Sequence, residues 1–255
     1  MVYGEYKITL YQIGLDRIVV IYVTQGIIVI FFSLLAYRIL KRKKQRLNVI
    51  FSLFFICVIM GLIFNMIYAP LDPIQHEPII KILNFFANFF IFFAPIFMVI
   101  VNFIILESTL IFSVKRQNRY IFLYGFLIFF GMLILILIPD PLNILGVKIT
   151  AEGRPEWGIV FFIYMVSIIT GLTLIPIVRT SLKIYNNLKT NALKKKWVYY
   201  FIGSLGVFSW GYLIFLTNFM GHFFDILRLI SSIYGISIVI WVYFMYYGIG
   251  FKLKN

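Results

Sequence analysis

Seven apolar runs recur along this 255-residue chain, each long enough to cross a bilayer as a helix of about 20 residues. They fall near 16–40, 47–69, 79–106, 120–138, 158–180, 197–220 and 226–250. No other feature restricts the fold as tightly. In lipid every backbone N–H and C=O must be satisfied inside the protein, and a helix achieves this within one segment. Composition agrees, with 62% hydrophobic residues, 13% charged residues and a mean hydropathy of +0.99. A soluble fold of this length could not cover so much apolar surface. The expected fold class is an all-α membrane protein, a seven-transmembrane-helix bundle that makes residues 1–255 one transmembrane domain. No early run joins a charged n-region to a short apolar core and a small-residue cleavage site. The first helix is therefore expected to be retained.

The net charge of +14 invites a nucleic-acid partner, but its distribution argues for membrane topology instead. With the loop after the first run placed in the cytoplasm, 17 of the 23 basic residues fall on that side. They occupy 38–46, 115–119, 179–196 and the two lysines at 252 and 254, and Glu107 is their only acidic companion. The positive-inside rule then sets the N-terminus outside and the C-terminus in the cytoplasm. Seven crossings require the same parity. The expected location is the cytoplasmic membrane, crossed several times.

Polar residues inside the runs are scarce and therefore informative. In the third run Asn84, Asn88, Pro95 and Asn102 lie within ~40° of one another at about 100° per residue. Phe86, Phe89, Phe90, Phe93 and Phe97 cover the rest of that circumference. The spacing predicts a central helix with its polar stripe toward other helices. Pro95 lacks the donor for the carbonyl of residue 91, which predicts a kink. Gln25, deep in the first run, needs an interhelical partner. Ser167 and Gly171 have the spacing of a close-packed helix face, and the fourth run, nearly free of polar residues, is expected at the periphery. Outside the membrane, 70–78 carries three prolines and reads as stiff and non-helical. The 139–157 segment alternates loosely around Gly146 and Gly153, which predicts a short hairpin over the outer mouth.

Several chemistries are missing. The seventh run has no lysine and the third no mid-membrane carboxylate, so a retinal Schiff base is excluded. No ionisable residue falls at the midplane, which argues against proton relays, pumps and intramembrane proteases. Asp72, His76, Glu77, Glu152, Glu156, His222 and Asp225 all fall on the outer side, without HxxxH or HExxH spacing, and read as loop residues and not zinc ligands. The single cysteine, Cys57, leaves no intrachain disulfide and reads as a packing residue. No catalytic residue, metal site or cofactor is expected, and the chain is not read as an enzyme.

The order of features resembles the seven-helix sensor region at the N-terminus of many microbial histidine kinases and related signalling proteins. The likeness is carried by YRILKRKKQR after the first run and by FFAPIFMVIVNFIILES in the third. It continues in LGVKITAEGRPEWGIVFFIYM, leading into the fifth, and in YYGIGFKL at the end of the seventh. The resemblance implies a sensor that reads a small ligand or the state of the membrane and relays it inward. No fused kinase domain follows in the sequence, so the expectation is a stand-alone, receptor-like module acting on a separate cytoplasmic partner. Asn84, Asn88 and Gln25 are candidate ligand contacts, and the resemblance adds Trp157 and Tyr164. Lys183, Lys189, Lys194, Lys195 and Lys196 are candidate contacts for an acidic cytoplasmic signalling protein or for anionic membrane lipids. Self-association is a further expected interaction. The alternative readings are a non-catalytic structural subunit of a membrane complex and a carrier for a neutral or lipid-like solute. Pro176, with Gly171 and Thr173, marks the inner half of the fifth run as the expected mobile element.

Overall fold

A computed structural model describes residues 19–42, 45–138, 144–220 and 225–253. Readings made at 16–18, at 139–143, at His222 and at the last two residues lie outside the described part. Seven helices are long and apolar enough to cross a membrane: Ile21–Leu40, Arg46–Tyr68, Glu77–Glu107, Val114–Leu137, Ile159–Asn187, Asn191–Met220 and Ile230–Gly250. They are called the first to seventh spans. The fourth and sixth begin earlier than hydropathy placed them. Ser113 accepts a hydrogen bond from the Arg116 N–H at 3.4 Å, and Thr190 Oγ1 accepts one from the Leu193 N–H at 3.4 Å. A helix starts at its capping residue, whereas hydropathy marks only where its apolar part starts, and lysine and arginine are good helix formers.

The third span sits at the centre. It divides into helices Glu77–Phe93 and Pro95–Ile111, with the break at Ala94, as the missing Pro95 donor requires. Tyr124 of the fourth span donates its hydroxyl to the Phe92 carbonyl at 2.8 Å beside that break. Asn84, Asn88 and Asn102 are all buried, so the stripe faces other helices. The phenylalanine circumference is partly covered, with Phe86, Phe89, Phe90 and Phe93 half-buried. Phe97 is buried, Phe86 stacks on Phe64 at 5.6 Å, and Phe89 meets Phe129 edge-on at 5.4 Å. Every residue from Ile96 to Asn102 is buried, whichever way it points. A helical wheel gives direction but not the number of neighbours, and this helix is packed against the second, fourth and fifth spans.

The fourth span is peripheral, with Phe122, Leu123, Phe126 and Ile134 exposed along it. The small-residue face of the fifth span departs from expectation. Ser167 and Gly171 are exposed, and space is open around Gly171. A π-helical turn, Thr170–Leu174, takes in Gly171 and ends just before Pro176. The proline cannot donate to the carbonyl of residue 172, and the extra residue in the π turn shifts the face the helix presents. Thr173 is turned inward instead and donates to the Ile169 carbonyl at 2.6 Å, and Thr180 Oγ1 donates to the Pro176 carbonyl at 2.7 Å.

The sixth and seventh spans form the most intimate helix pair. A methyl group on Gly203 would stand 2.4 Å from the Trp241 carbonyl oxygen, and one on Gly248 would stand 2.3 Å from the Tyr200 nitrogen. Only glycine allows the two backbones this approach. At the other end of the bundle, strands β1 (Val147–Ile149) and β2 (Pro155–Trp157) form the expected hairpin, with Val147 opposite Trp157 and Ile149 opposite Pro155. Its turn uses Gly153 at φ 73°, a conformation glycine adopts without Cβ strain. The Thr150 hydroxyl accepts from the Arg154 N–H at 3.1 Å and fixes the same turn. β1 lies against the third span and β2 against the sixth.

Candidate functional site

At the hairpin end a cavity of about 290 Å³ opens among the first, second, third, sixth and seventh spans. Thr24 and Gln25 of the first span, Asn65 and Tyr68 of the second, and Asn84 and Asn88 of the third contribute polar groups. Thr217 and Asn218 of the sixth span and Ser231 and Ser232 of the seventh complete them. The hairpin turn, Gly153 to Pro155, reaches the rim. Ile28, Leu62, Ile91 and Trp210 supply apolar wall.

The third-span asparagines are ordered by a short hydrogen-bond chain. The Asn88 amide nitrogen donates to Asn84 Oδ1 at 2.9 Å, and the Asn84 amide nitrogen donates to the Tyr68 hydroxyl at 3.0 Å. The i, i+4 spacing of the two asparagines puts them one turn apart on the same face, which makes the first bond available. Gln25 Oε1 is buried with no hydrogen-bond partner. Leaving such an acceptor unmet costs about 1–3 kcal/mol, so the site holds an unmet demand for a donor. Among the described residues Arg154 is the only charged one in the lining, and Glu152 pairs with it at 3.1 Å. The cavity is thus polar and close to electroneutral.

Beneath it the lining changes. A second, smaller space of about 40 Å³ is walled by Phe32, Phe54, Phe92, Phe208 and Phe215. Ile91 and Trp210 border both spaces, so Trp210 stands between the polar cavity and an apolar floor. Below the floor lie the fully enclosed Met98, Ile100 and Val101.

The structure brings Gln25, Asn84 and Asn88 together on one cavity. Trp157 and Tyr164 are not part of it. Trp157 is buried, edge-on to Phe161 at 4.9 Å and to Phe92 at 5.8 Å. Tyr164 donates its hydroxyl to the Leu127 carbonyl at 2.6 Å and fills the space over Gly131, clamping the fifth span to the fourth. Both are packing residues here, and the resemblance that suggested them does not say which way they turn. Tyr68, Arg154 and the serines of the seventh span were not singled out as contacts. Their residue types are ordinary, and only the bundle makes them converge.

Asn102 belongs to a different locus. Its amide nitrogen donates to Thr180 Oγ1 and to Ser181 Oγ, each at 3.0 Å, tying the third span to the fifth just past Pro176. The Trp197 indole donates to the Ser181 carbonyl at 2.9 Å, which adds the sixth span to the same knot. Towards the basic end, Arg42 donates to the Tyr246 hydroxyl at 2.6 Å and Arg46 to Gln117 at 3.2 Å. Lys183, Lys189 and Lys195 are exposed, while Lys194 and Lys196 are half-buried, with Lys194 over the Tyr185 ring at 5.3 Å. Among the described residues no group of histidine, cysteine, aspartate and glutamate converges as a metal site.

No protein-family model matches this chain, and searches of curated proteins and of solved structures find no match.

Proposed function

We propose that the protein is a membrane sensor whose hairpin-end cavity binds a small molecule and whose fifth span carries the change to the basic end. The observation behind this reading is the cavity itself: polar groups from five spans gathered at one end, above an aromatic floor. A carrier needs a polar route through the bundle, and the aromatic layer and the packed run Ile96 to Asn102 stand across that route. Among the described residues this lining brings no nucleophile–base pair together. In this reading the basic loops face the cytoplasm, the N-terminus lies outside and the C-terminus inside, and the membrane is the cytoplasmic one.

The relay rests on the third and fifth spans. Asn84 and Asn88 touch the cavity from above the break at Ala94, and Asn102 holds the fifth span from below it. The π turn and Pro176 interrupt the regular hydrogen-bond ladder of the fifth span, and Lys183 to Lys196 lie at and beyond its inner end. A ligand shifts such an element only by binding one of its positions better. The exposed lysines favour an acidic partner or anionic lipid.

Spin labels at Lys183→Cys and Lys115→Cys, on a Cys57→Ser background, read the distance between the fifth and fourth spans at the basic end. A cavity ligand is expected to change that distance distribution, and Gln25→Leu is expected to abolish the change. One unaltered distribution across a broad ligand screen rejects the sensor in favour of a structural subunit.

A further inference from the structure

We infer that the cavity recognises a neutral, polyhydroxylated molecule of about the size of a monosaccharide; this inference rests on the ligand-sensing reading and specifies its ligand. Three properties of the lining lead there. The first is charge. Among the described residues Arg154 alone carries any, Glu152 pairs with it at 3.1 Å, and no described carboxylate lines the wall. An ammonium ion would enter without a counter-charge, and a carboxylate would compete with Glu152 for one guanidinium at the rim. Desolvating either ion under those terms is unfavourable. A neutral ligand has no such penalty.

The second property is hydrogen-bonding type. The lining is built from amides and hydroxyls, whose donors and acceptors lie side by side: the Asn84–Asn88 pair, Asn218, Thr217 and the serines of the seventh span. Adjacent hydroxyls on a ligand donate and accept in the same alternating way, so they can answer such a wall at several points. Gln25 of the first span adds a further amide to the same lining. The third is shape. At about 290 Å³ the cavity is at the small end of the ~300–1,000 Å³ range of ligand pockets. Trp210 offers the one indole face in the lining, and Ile28, Leu62 and Ile91 stand around it. A saturated ring has an apolar C–H face for the indole and a hydroxylated edge for the amides. A flat heteroaromatic ring would leave most of the hydroxyl and amide groups around the wall unanswered, because its polar atoms lie only at its edge.

The test uses the full-length protein in lipid nanodiscs, titrated by calorimetry and by tryptophan fluorescence. The probes are glucose and myo-inositol, their charged counterparts glucosamine and gluconate, and a neutral nucleoside and a neutral dipeptide amide. At least one neutral polyol is expected to bind about tenfold more tightly than its charged counterparts. Asn88→Leu is expected to weaken that binding by about tenfold or more. Because the leucine could disturb helix packing, Gly235→Ala provides a second variant. Its Cβ would meet Trp210 Nε1 at 3.3 Å and Thr24 Cγ2 at 3.7 Å, so the bundle needs only a small adjustment while the cavity loses volume. Binding is scored on the folded fraction of each variant, and unchanged polyol affinity in both variants overturns the inference. Failure of every polyol to bind at millimolar concentration overturns the inference, as does tighter binding of the nucleoside, the dipeptide amide or a charged probe. If a polyol binds but leaves the Lys183–Lys115 distance unchanged, the ligand class stands and the relay is rejected. If a nucleoside or amide binds and moves that distance, the relay stands and the ligand class is rejected.

Discussion

Asn102 shows how much a single polar residue can hold in a membrane bundle. It is fully buried and donates to the side chains of Thr180 and Ser181 on another helix. Interhelical hydrogen bonds in lipid are worth ~0.6 kcal/mol on average and up to ~1.7. Asn102→Leu is therefore expected to destabilise the bundle by about 1–2 kcal/mol, measured by reversible unfolding in mixed micelles. An unchanged unfolding midpoint would remove Asn102 from the account of how the third and fifth spans are joined. Gly153 works through backbone geometry, since its φ of 73° is strained for any residue with a Cβ. Gly153→Ala is expected to cost ~1 kcal/mol locally. Hydrogen exchange should speed up at the Thr150 and Gly153 amides, whose bonds close the turn, and remain slow in the spans. Uniform exchange changes would mean that the hairpin and the helices open together.

The spans differ in how they can be altered. The sixth and seventh meet through glycine, so Gly203→Val or Gly248→Val forces backbones apart. Such overpacking typically costs 1–3 kcal/mol (about the same range is expected here) and should be seen as a lower unfolding midpoint. The fourth span touches few neighbours and exposes Phe122. Phe122→Leu is expected to leave the midpoint unchanged within error, whereas Phe92→Ala, at the apolar floor, should cost about 3–5 kcal/mol. Equal effects at both would mean that the fourth span is covered by protein. The fifth span is the element where sequence periodicity misleads. Its Ser167–Gly171 spacing describes a uniform α-helix, but the π turn ahead of Pro176 inserts an extra residue and turns Thr173 inward instead.

For the molecule as a whole, charge and span number together fix an expected orientation, and accessible single cysteines read it directly. On a Cys57→Ser background, Lys148→Cys on the hairpin should react with an impermeant reagent added outside intact cells. Lys195→Cys, beside the start of the sixth span, should react only after the membrane is opened. The reverse pattern would invert the topology and place the cavity on the cytoplasmic side. Much of this architecture was determined by sequence alone. The length and hydropathy of the runs set seven membrane-spanning helices, because lipid leaves the backbone no other way to satisfy itself. The missing Pro95 donor set the break in the third span, and the turn residues around Gly153 set the hairpin. The buried side of Asn84, Asn88 and Asn102 was also legible, since a polar group in hydrocarbon must turn to a partner. The tertiary structure alone decided which helices meet. Helical phase gives each residue a direction but no neighbour, so it could not show that the second and fourth spans half-cover the phenylalanines of the third. For the same reason only the bundle could gather Gln25, Tyr68, Asn218 and Ser231, distant in sequence, around one cavity, and turn Trp157 and Tyr164 away from it.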